Sequence, residues 1–211
     1  MGPLTSGSIS NKGERIMTKS TIPIGIAILA FCVSSLDAKP PTGWFMAGSK
    51  PADYDASTDP QAAYMGRPSV HIKSLKPATG GFGTMMQCFK GEEYLGKRIR
   101  FNAYVKSVGI DGSESWAGLW VRVDKGTKSV AFDNMQNRSV KGTSDWRNYE
   151  VVLDVPADAT GVCFGILLSE SGSVWINGAK FEVVNPNTPV TDLNAAGATL
   201  PEAPKNLGFE K

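Results

Sequence analysis

Histidine is nearly absent from this sequence, which holds a single one, His71, among 211 residues. Any mechanism or metal site that needs two imidazoles is therefore excluded. The chain also lacks the phosphate-binding loop, the dinucleotide fingerprint and the Gly-x-Ser-x-Gly elbow found in large enzyme classes. Neither sign of charge dominates, since 22 Lys and Arg face 20 Asp and Glu, and this balance does not favour a nucleic-acid partner.

Long apolar runs are also scarce, and the one that stands out lies near the N-terminus. From Met17 a short positively charged region leads into an apolar run over 22–33, and small residues follow up to Ala38. This order is typical of a signal peptide, and the run is too short for a stable membrane anchor. We therefore predict a signal peptide over 17–38, with a secreted or periplasmic product; the alternative is a buried helix.

The first sixteen residues look foreign to the rest of the chain. The tripeptide Lys12-Gly13-Glu14 stands just before Met17, and its codons can spell a ribosome-binding sequence. We therefore interpret residues 1–16 as a translated leader or an appended segment, with Met17 as the true start. Genomic codons that cannot spell such a sequence would remove this interpretation.

Cysteine is limited to three residues. Removal of the signal peptide would remove Cys32, leaving Cys88 and Cys163 in an oxidising compartment. A disulfide between them would stabilise the fold by a few kcal/mol, typically about 2–4. Two separate buried thiols would also fit the sequence, because free cysteine packs as a small apolar side chain.

From Lys39 onward the sequence consists of short extended runs separated by turn residues. In one run Ile99, Phe101 and Ala103 alternate with polar neighbours, which is typical of a strand with one face on a core. This pattern predicts an all-β fold, an antiparallel β-sandwich. The predicted strands are Ser69–Ser74, Gly83–Phe89, Arg98–Val108, Ala117–Asp124, Ser129–Phe132, Tyr149–Val155, Gly161–Ser169 and Ser173–Val184.

The breaks between these runs define the domain. Turns are predicted at Asp111-Gly112, Lys125-Gly126, Lys141-Gly142, Ser171-Gly172 and Asn177-Gly178, where glycine permits a positive φ. Helix is limited to a short turn near Glu92–Leu95. We expect one sandwich domain over 39–184 and a tail over 185–211, which is rich in Pro, Ala, Thr and Asn.

Candidate binding residues combine rings with planar polar groups. Trp120 and Arg122 share one face of a predicted strand, Gln87 lies on another strand, and Asp133 and Asn134 follow in a polar loop. Sugars are bound by aromatic faces together with amide, carboxylate and guanidinium groups, so the set suits a carbohydrate. Packing within the sandwich is the alternative role for the ring.

No catalytic residue emerges from the sequence. The candidate carboxylates are predicted to lie in loops or turns without a recognisable motif, and solvated surface is the better interpretation for them. They are Asp53, Asp55, Asp59, Asp133 and Asp154. We expect Trp146 and Trp175 to be structural.

A set of motifs resembles a known bacterial family. In order they are Trp44 with Ala47-Gly48-Ser49, Gly118 to Asp124, Phe132 to Met135, Gly142-Thr143 to Trp146, Tyr149, and Leu153 to Pro156. They resemble a domain found alone or fused behind arabinose-regulator-type transcription factors, within the galactose-binding-like jelly rolls that include many carbohydrate-binding modules. The resemblance covers roughly 43–184 and implies a jelly-roll fold.

The resemblance has two further implications. Related jelly rolls often bind calcium near their first and last strands, which by position implies Glu210 and Asn177 as ligands, although relatives usually carry an acidic residue near Asn177. Related modules also open with Asn-x-x-Phe-Glu, which here occurs only at 206–210. We therefore expect that segment to return as an edge strand, or else to form a frayed tail.

Together these observations predict an exported, non-catalytic module that binds carbohydrate or a cell-envelope glycan. No cofactor is required, and calcium is an optional one. The alternatives are a small jelly-roll enzyme of lyase or cyclase type, for which a deep pocket holding Asp133 or His71 would be evidence, and a protein-interaction module.

Overall fold

The computed structural model describes residues 39–191. The predicted leader, signal peptide, Cys32, Glu210 and the 206–210 strand lie outside these described residues. The strands are β1 (Phe45–Gly48), β2 (Tyr54–Tyr64), β3 (Arg67–Ser74), β4 (Phe82–Phe89), β5 (Lys97–Ile110), β6 (Trp116–Lys125), β7 (Lys128–Asp133), β8 (Gly142–Val155), β9 (Gly161–Ser169) and β10 (Ser173–Val183).

The strands form two antiparallel five-stranded sheets. Sheet A has the order β1-β4-β9-β6-β7, and sheet B has the order β2-β3-β10-β5-β8. The regular structure between them is limited to short 3₁₀ turns, of which Glu92–Tyr94 lies where a turn was predicted. The predicted antiparallel β-sandwich is confirmed. Among residues 39–191, no helix has the length and hydropathy needed to cross a bilayer.

The core lies between the inward faces of the two sheets. On β5 every second residue from Ile99 to Val105 is buried, which follows the alternation seen in the sequence. Phe101 meets Phe164 from sheet A at a ring-centroid distance of 5.0 Å and Phe181 from its own sheet at 4.8 Å. These ring contacts hold the sheets together around β5, β9 and β10.

Two strands were not predicted. β1 is short, and β2 carries the Asp, Ser, Thr and Pro content of a loop, yet Tyr54 and Ala56 face the core while Asp55 and Asp59 point outward. Pro60 is tolerated because β2 is an edge strand.

The expected loop positions of several carboxylates are therefore wrong. Asp55 and Asp59 lie within β2, Asp133 ends β7 and Asp154 lies within β8. The pairing of their strands with a neighbour outweighed the low strand preference of aspartate.

Candidate functional site

The outward face of sheet A is built from three rows of side chains that run across β4, β9 and β6. Strand register aligns residues of the same parity, so each row has one residue from each strand. The rows are Thr84–Leu167–Gly118, Met86–Gly165–Trp120 and Cys88–Cys163–Arg122. This face is therefore mainly apolar, although it points away from the core.

Two glycines of these rows lie against neighbouring backbone. A Cβ on Gly165 would lie 2.2 Å from the carbonyl oxygen of Met85 on the adjacent strand. A Cβ on Gly118 would lie 2.6 Å from the carbonyl oxygen of Asn134, where the segment after β7 approaches β6. Glycine is required at both positions by close backbone approach, because a Cβ there would collide with a carbonyl oxygen.

An open cavity of about 520 Å³ lies on this outward face of sheet A. Its volume lies within the usual range for small-ligand sites, roughly 300–1,000 Å³. The lining residues are Ala47, Gly48, Phe82, Thr84, Met86, Trp116, Trp120, Arg122, Phe132, Asn134 and Leu167. Four of them are aromatic, and none is a carboxylate, a histidine or a cysteine.

Trp120 forms the floor of this cavity. Its side chain is 6% exposed, and its indole Nε1 donates a hydrogen bond to Thr84 Oγ1 at 2.7 Å. To reach β4 the indole must cross β9, and its register partner there is Gly165, which has no side chain in the way. The rings that remain accessible are at the sides, where Phe132 is 42% exposed.

The polar groups of the cavity lie on its β6 and β7 side. Arg122 donates from Nε and Nη2 to Asp124 Oδ2 at 3.1 and 3.0 Å. Asn134 Oδ1 accepts a hydrogen bond from the backbone N–H of Gln136 at 3.1 Å. These bonds fix both side chains and leave Arg122 Nη1 and Asn134 Nδ2 without a hydrogen bond within residues 39–191.

Three of the five predicted binding residues lie together, and two do not. Trp120, Arg122 and Asn134 line the cavity. Gln87 is two residues from the buried Met85 on β4, so its side chain lies on the inward side of that strand. The prediction that Gln87 shares a face with Trp120 is therefore wrong.

Asp133 is likewise misplaced by the sequence prediction. It pairs with the inward-facing Val121, and its carboxylate accepts hydrogen bonds from the backbone N–H of Met135 and from Arg138. Thr191 also donates to this carboxylate, so that the group ties the end of the described chain to β7. Its role in the structure is to hold loops together.

Sequence reasoning missed most of the apolar lining. Trp116 belongs to the same outward series as Trp120 and Arg122, and extending the predicted strand by one residue would have found it. Phe132 was seen only as part of a family motif. The contributions of Phe82 and Leu167 depend on which strands are neighbours, for which the sequence holds no local signal.

The two cysteines of the domain are joined on this same face. Cys88 and Cys163 are direct register partners on β4 and β9, and their sulfur atoms form a disulfide with a Cα–Cα distance of 4.1 Å. Arg122 Nη2 lies 3.7 Å from the Cys163 sulfur. The disulfide therefore borders the cavity.

Asn177 lies at a β-bulge in β10. It pairs with Tyr104, and the register shifts before the next pair, Lys180 with Asn102. The strand therefore continues through this point, and the predicted Asn177-Gly178 turn is wrong. Asn177 Nδ2 donates to the carbonyl oxygens of Arg67 and Pro68 at 3.1 Å and to Ser69 Oγ at 3.0 Å. Calcium would be bound through Asn177 Oδ1, and the other predicted ligand, Glu210, lies outside the described residues, so the calcium site stays a prediction. Within residues 39–191 no group of three His, Cys, Asp or Glu side chains could hold a metal ion.

His71 lies on the outward face of sheet B. Its ring stacks on Trp175 at a centroid distance of 5.9 Å, and its Nε2 is 3.5 Å from Asp55 Oδ2. Trp175 in turn donates from Nε1 to Asp59 Oδ2 at 2.8 Å. Although burial acts to raise it, hydrogen bonds from Trp175 and from the N–H groups of Gln61 and Ala62 lower the pKa of Asp59.

Comparison with known proteins found one related sequence and a shared fold. No protein-family description matches the chain. Over 171 residues the chain is 40% identical to the uncharacterized HTH-type transcriptional regulator YbfP of Bacillus subtilis (strain 168), a match that spans 80% of this chain and 57% of the relative. The chain therefore corresponds to little more than half of that protein.

Among solved structures, xylan-binding modules share this sandwich. The CBM22-1 xylan-binding domain of Paenibacillus barcinonensis Xyn10C superimposes with a TM-score of 0.51 at 12% identity, over 70% of this chain and 89% of that one. The C-terminal family 22 carbohydrate-binding module of Clostridium thermocellum Xyn10B gives 0.50 at 14% identity, over 68% and 87%. At these identities the likeness establishes the jelly-roll fold.

Proposed function

We propose that this chain is an exported, non-catalytic module that binds carbohydrate in the cavity on sheet A. The observation that carries the proposal is a hollow on an outward-facing sheet, bordered by aromatic rings and two hydrogen-bond donors. Soluble domains seldom place such apolar surface outward without a partner for it.

The chemistry of the lining supports binding to sugar. Trp116, Phe82 and Phe132 offer ring faces for the apolar face of a pyranose, and Asn134 and Arg122 offer N–H groups for its oxygens. General acid–base catalysis needs a titratable group within hydrogen-bond reach of the substrate. The residues that line the cavity supply none, which supports binding over lyase or cyclase chemistry.

Export is supported by the order of residues 17–38 and by the cysteines. A structural disulfide persists in an oxidising compartment and is rare in the cytosol. Cys88 and Cys163 stand at bonding distance on paired strands. We propose a secreted or periplasmic location on these two grounds.

The comparisons agree with a binding role. Two of the structural neighbours are described as xylan-binding or carbohydrate-binding modules, and they share this fold. The related Bacillus sequence is described as a regulator, yet residues 39–191 contain no α-helix and hence no helix-turn-helix. The similarity therefore supports a shared ligand-binding domain rather than shared DNA binding.

The experiment compares two exposed phenylalanines on the same face of sheet A. Phe132 lines the cavity and is 42% exposed, whereas Phe45 is 47% exposed and lies outside the lining. In affinity gels containing a panel of plant and bacterial polysaccharides, Phe132→Ala should weaken the retained interaction about tenfold, because a stacked ring contributes roughly 1 kcal/mol or more. Phe45→Ala should leave it unchanged. Failure of the unmodified chain to bind any polysaccharide, or equal losses in both variants, would overturn the proposal.

A further inference from the structure

The side chains on the floor of the sheet A cavity are apolar apart from one hydroxyl, and the proton of that hydroxyl is already committed. Thr84 supplies the hydroxyl there, and it already accepts from Trp120 Nε1 at 2.7 Å and donates to the Ile166 carbonyl at 2.9 Å. Around it lie Met86 and Leu167, each 8% exposed. Polar ligand groups placed against Met86 and Leu167 would lose their water without gaining a partner, which costs roughly 1–3 kcal/mol for each group.

The polar side of the cavity has two side-chain donors that make no hydrogen bond within residues 39–191. Asn134 Oδ1 already accepts from the Gln136 N–H, whereas Asn134 Nδ2 has no partner among these residues. Arg122 holds Asp124 through Nε and Nη2, and Nη1 remains. Because a guanidinium has no acceptor atom, a ligand must present its own acceptor oxygen to this side.

We propose that the cavity recognises an acetyl group carried on a sugar unit. This inference rests on the proposed function and narrows it to a class of ligand. An acetyl group has one acceptor-only carbonyl oxygen and one methyl group that needs no hydrogen bond. Its oxygen meets Asn134 Nδ2 or Arg122 Nη1, and its methyl lies on the floor formed by Met86, Trp120 and Leu167.

A plain sugar hydroxyl fits this arrangement less well. A hydroxyl in the same place has no methyl group to bury against Met86, Trp120 and Leu167, and its proton would share Asn134 Oδ1 with the Gln136 N–H. The rings of Phe82 and Phe132 can still cover the apolar face of the sugar that carries the acetyl group. The selectivity therefore comes from the floor and the donor side, whereas the rings contribute affinity to either kind of glycan.

The test measures binding of the full chain by calorimetry to two matched pairs of glycans. One pair is acetylated xylan and the same xylan after alkaline deacetylation, which probes O-acetyl groups. The other is chitohexaose and the corresponding glucosamine hexamer, which probes N-acetyl groups. We expect the acetylated member of at least one pair to bind on the order of tenfold more tightly, from the methyl burial and one hydrogen bond.

A near-isosteric variant locates the selectivity. Asn134→Asp keeps the acceptor for Gln136 N–H but replaces the Nδ2 donor with an oxygen, so the preference for acetylated glycan should fall toward unity. Asn148→Asp is the matched control, because Asn148 is an exposed residue of β8 on the other sheet and should leave the preference unchanged. Ala47→Phe, which fills the floor from β1, should remove binding of both members.

The outcomes separate the two claims. Equal affinity for both members of each pair would overturn the acetyl inference and leave carbohydrate binding in place. A preference that survives Asn134→Asp would also overturn it, because the donor side would then not be the recognition element. Absence of binding to all four glycans, and to the wider polysaccharide panel, would overturn the proposed function itself.

Discussion

The outward faces of the two sheets obey the same alternation but differ in what they present to solvent. On sheet B, Arg98 pairs with Asp154 at 2.8 Å, and Arg100 lies 2.9 Å from Glu150 and 3.1 Å from Glu182. On sheet A the equivalent rows hold Met86, Leu167, Trp120 and two glycines. Sheet B therefore carries several ion pairs on its outward face, whereas sheet A carries a cavity bordered by aromatic rings and two donors.

This contrast shows why the binding site is assigned to sheet A. Ion pairs on an exposed face contribute little to stability, often less than about 1 kcal/mol, but they keep that face soluble. Sheet B also has outward-facing rings, but they stack on one another, as His71 does on Trp175, whereas the rings of sheet A border an open cavity that a ligand can enter. Three substitutions test the difference between the sheets, in order of decreasing effect.

The first change removes the covalent link within sheet A. The disulfide spans a sequence separation of 75 residues, and the double variant Cys88→Ala/Cys163→Ala should lower the free energy of unfolding by about 4 kcal/mol, because the unfolded chain regains the entropy of an open loop. Urea unfolding followed by tryptophan fluorescence measures this loss. A dithiol reductant should destabilise the natural chain and leave the variant unaffected; a variant as stable as the oxidised chain would contradict the prediction.

The second change tests the close approach of β4 and β9 in sheet A. Gly165→Ala places a Cβ against the Met85 carbonyl, and the strands must separate, which should destabilise the protein by about 1–3 kcal/mol. Gly161→Ala on the same strand is the control, since its Cβ would lie 3.5 Å from the nearest atom, the Phe89 carbonyl oxygen. Thermal unfolding should separate the two variants. Equal melting temperatures would show that the close approach of β4 and β9 is not needed.

The third change, with the smallest expected effect, tests the hydrogen bond from Trp175 to Asp59 on the outward face of sheet B. Because the pKa of Asp59 is lowered in the folded state, its contribution to stability is present above the pKa of an unfolded aspartate and is lost as pH falls through the folded value. Trp175→Phe removes the indole donor to this carboxylate. The variant should therefore be less stable than the natural chain at neutral pH, and the gap should narrow in acid.

Urea unfolding between neutral pH and about pH 3, near the range where aspartate titrates, measures that gap. Trp146→Phe is the control, since Trp146 stacks on Tyr64 at 4.8 Å and donates no hydrogen bond to Asp59. A gap that stays constant with pH would show that the indole does not control this titration.

The sequence predicted the sandwich through β5 and β6, because their alternation of apolar and polar residues is long and regular, and through β9, which is an apolar run bounded by turn residues. It failed at β2, where Asp55, Asp59 and Pro60 read as a loop and pairing with β3 decided otherwise. It failed again at Gln87, because the parity of β4 relative to β6 depends on both strands pairing with β9. Local pattern carries no information on that register.

The sequence alone establishes most of the strands, because the alternation of apolar and polar residues is a local property of the chain. It also establishes which residue types are available for a binding site. The placement of β4, β9 and β6 side by side came from the folded structure. That arrangement makes Trp120 the floor of the cavity and places Asp133 outside its lining, because neighbours in a sheet are set by contacts between residues far apart in the sequence.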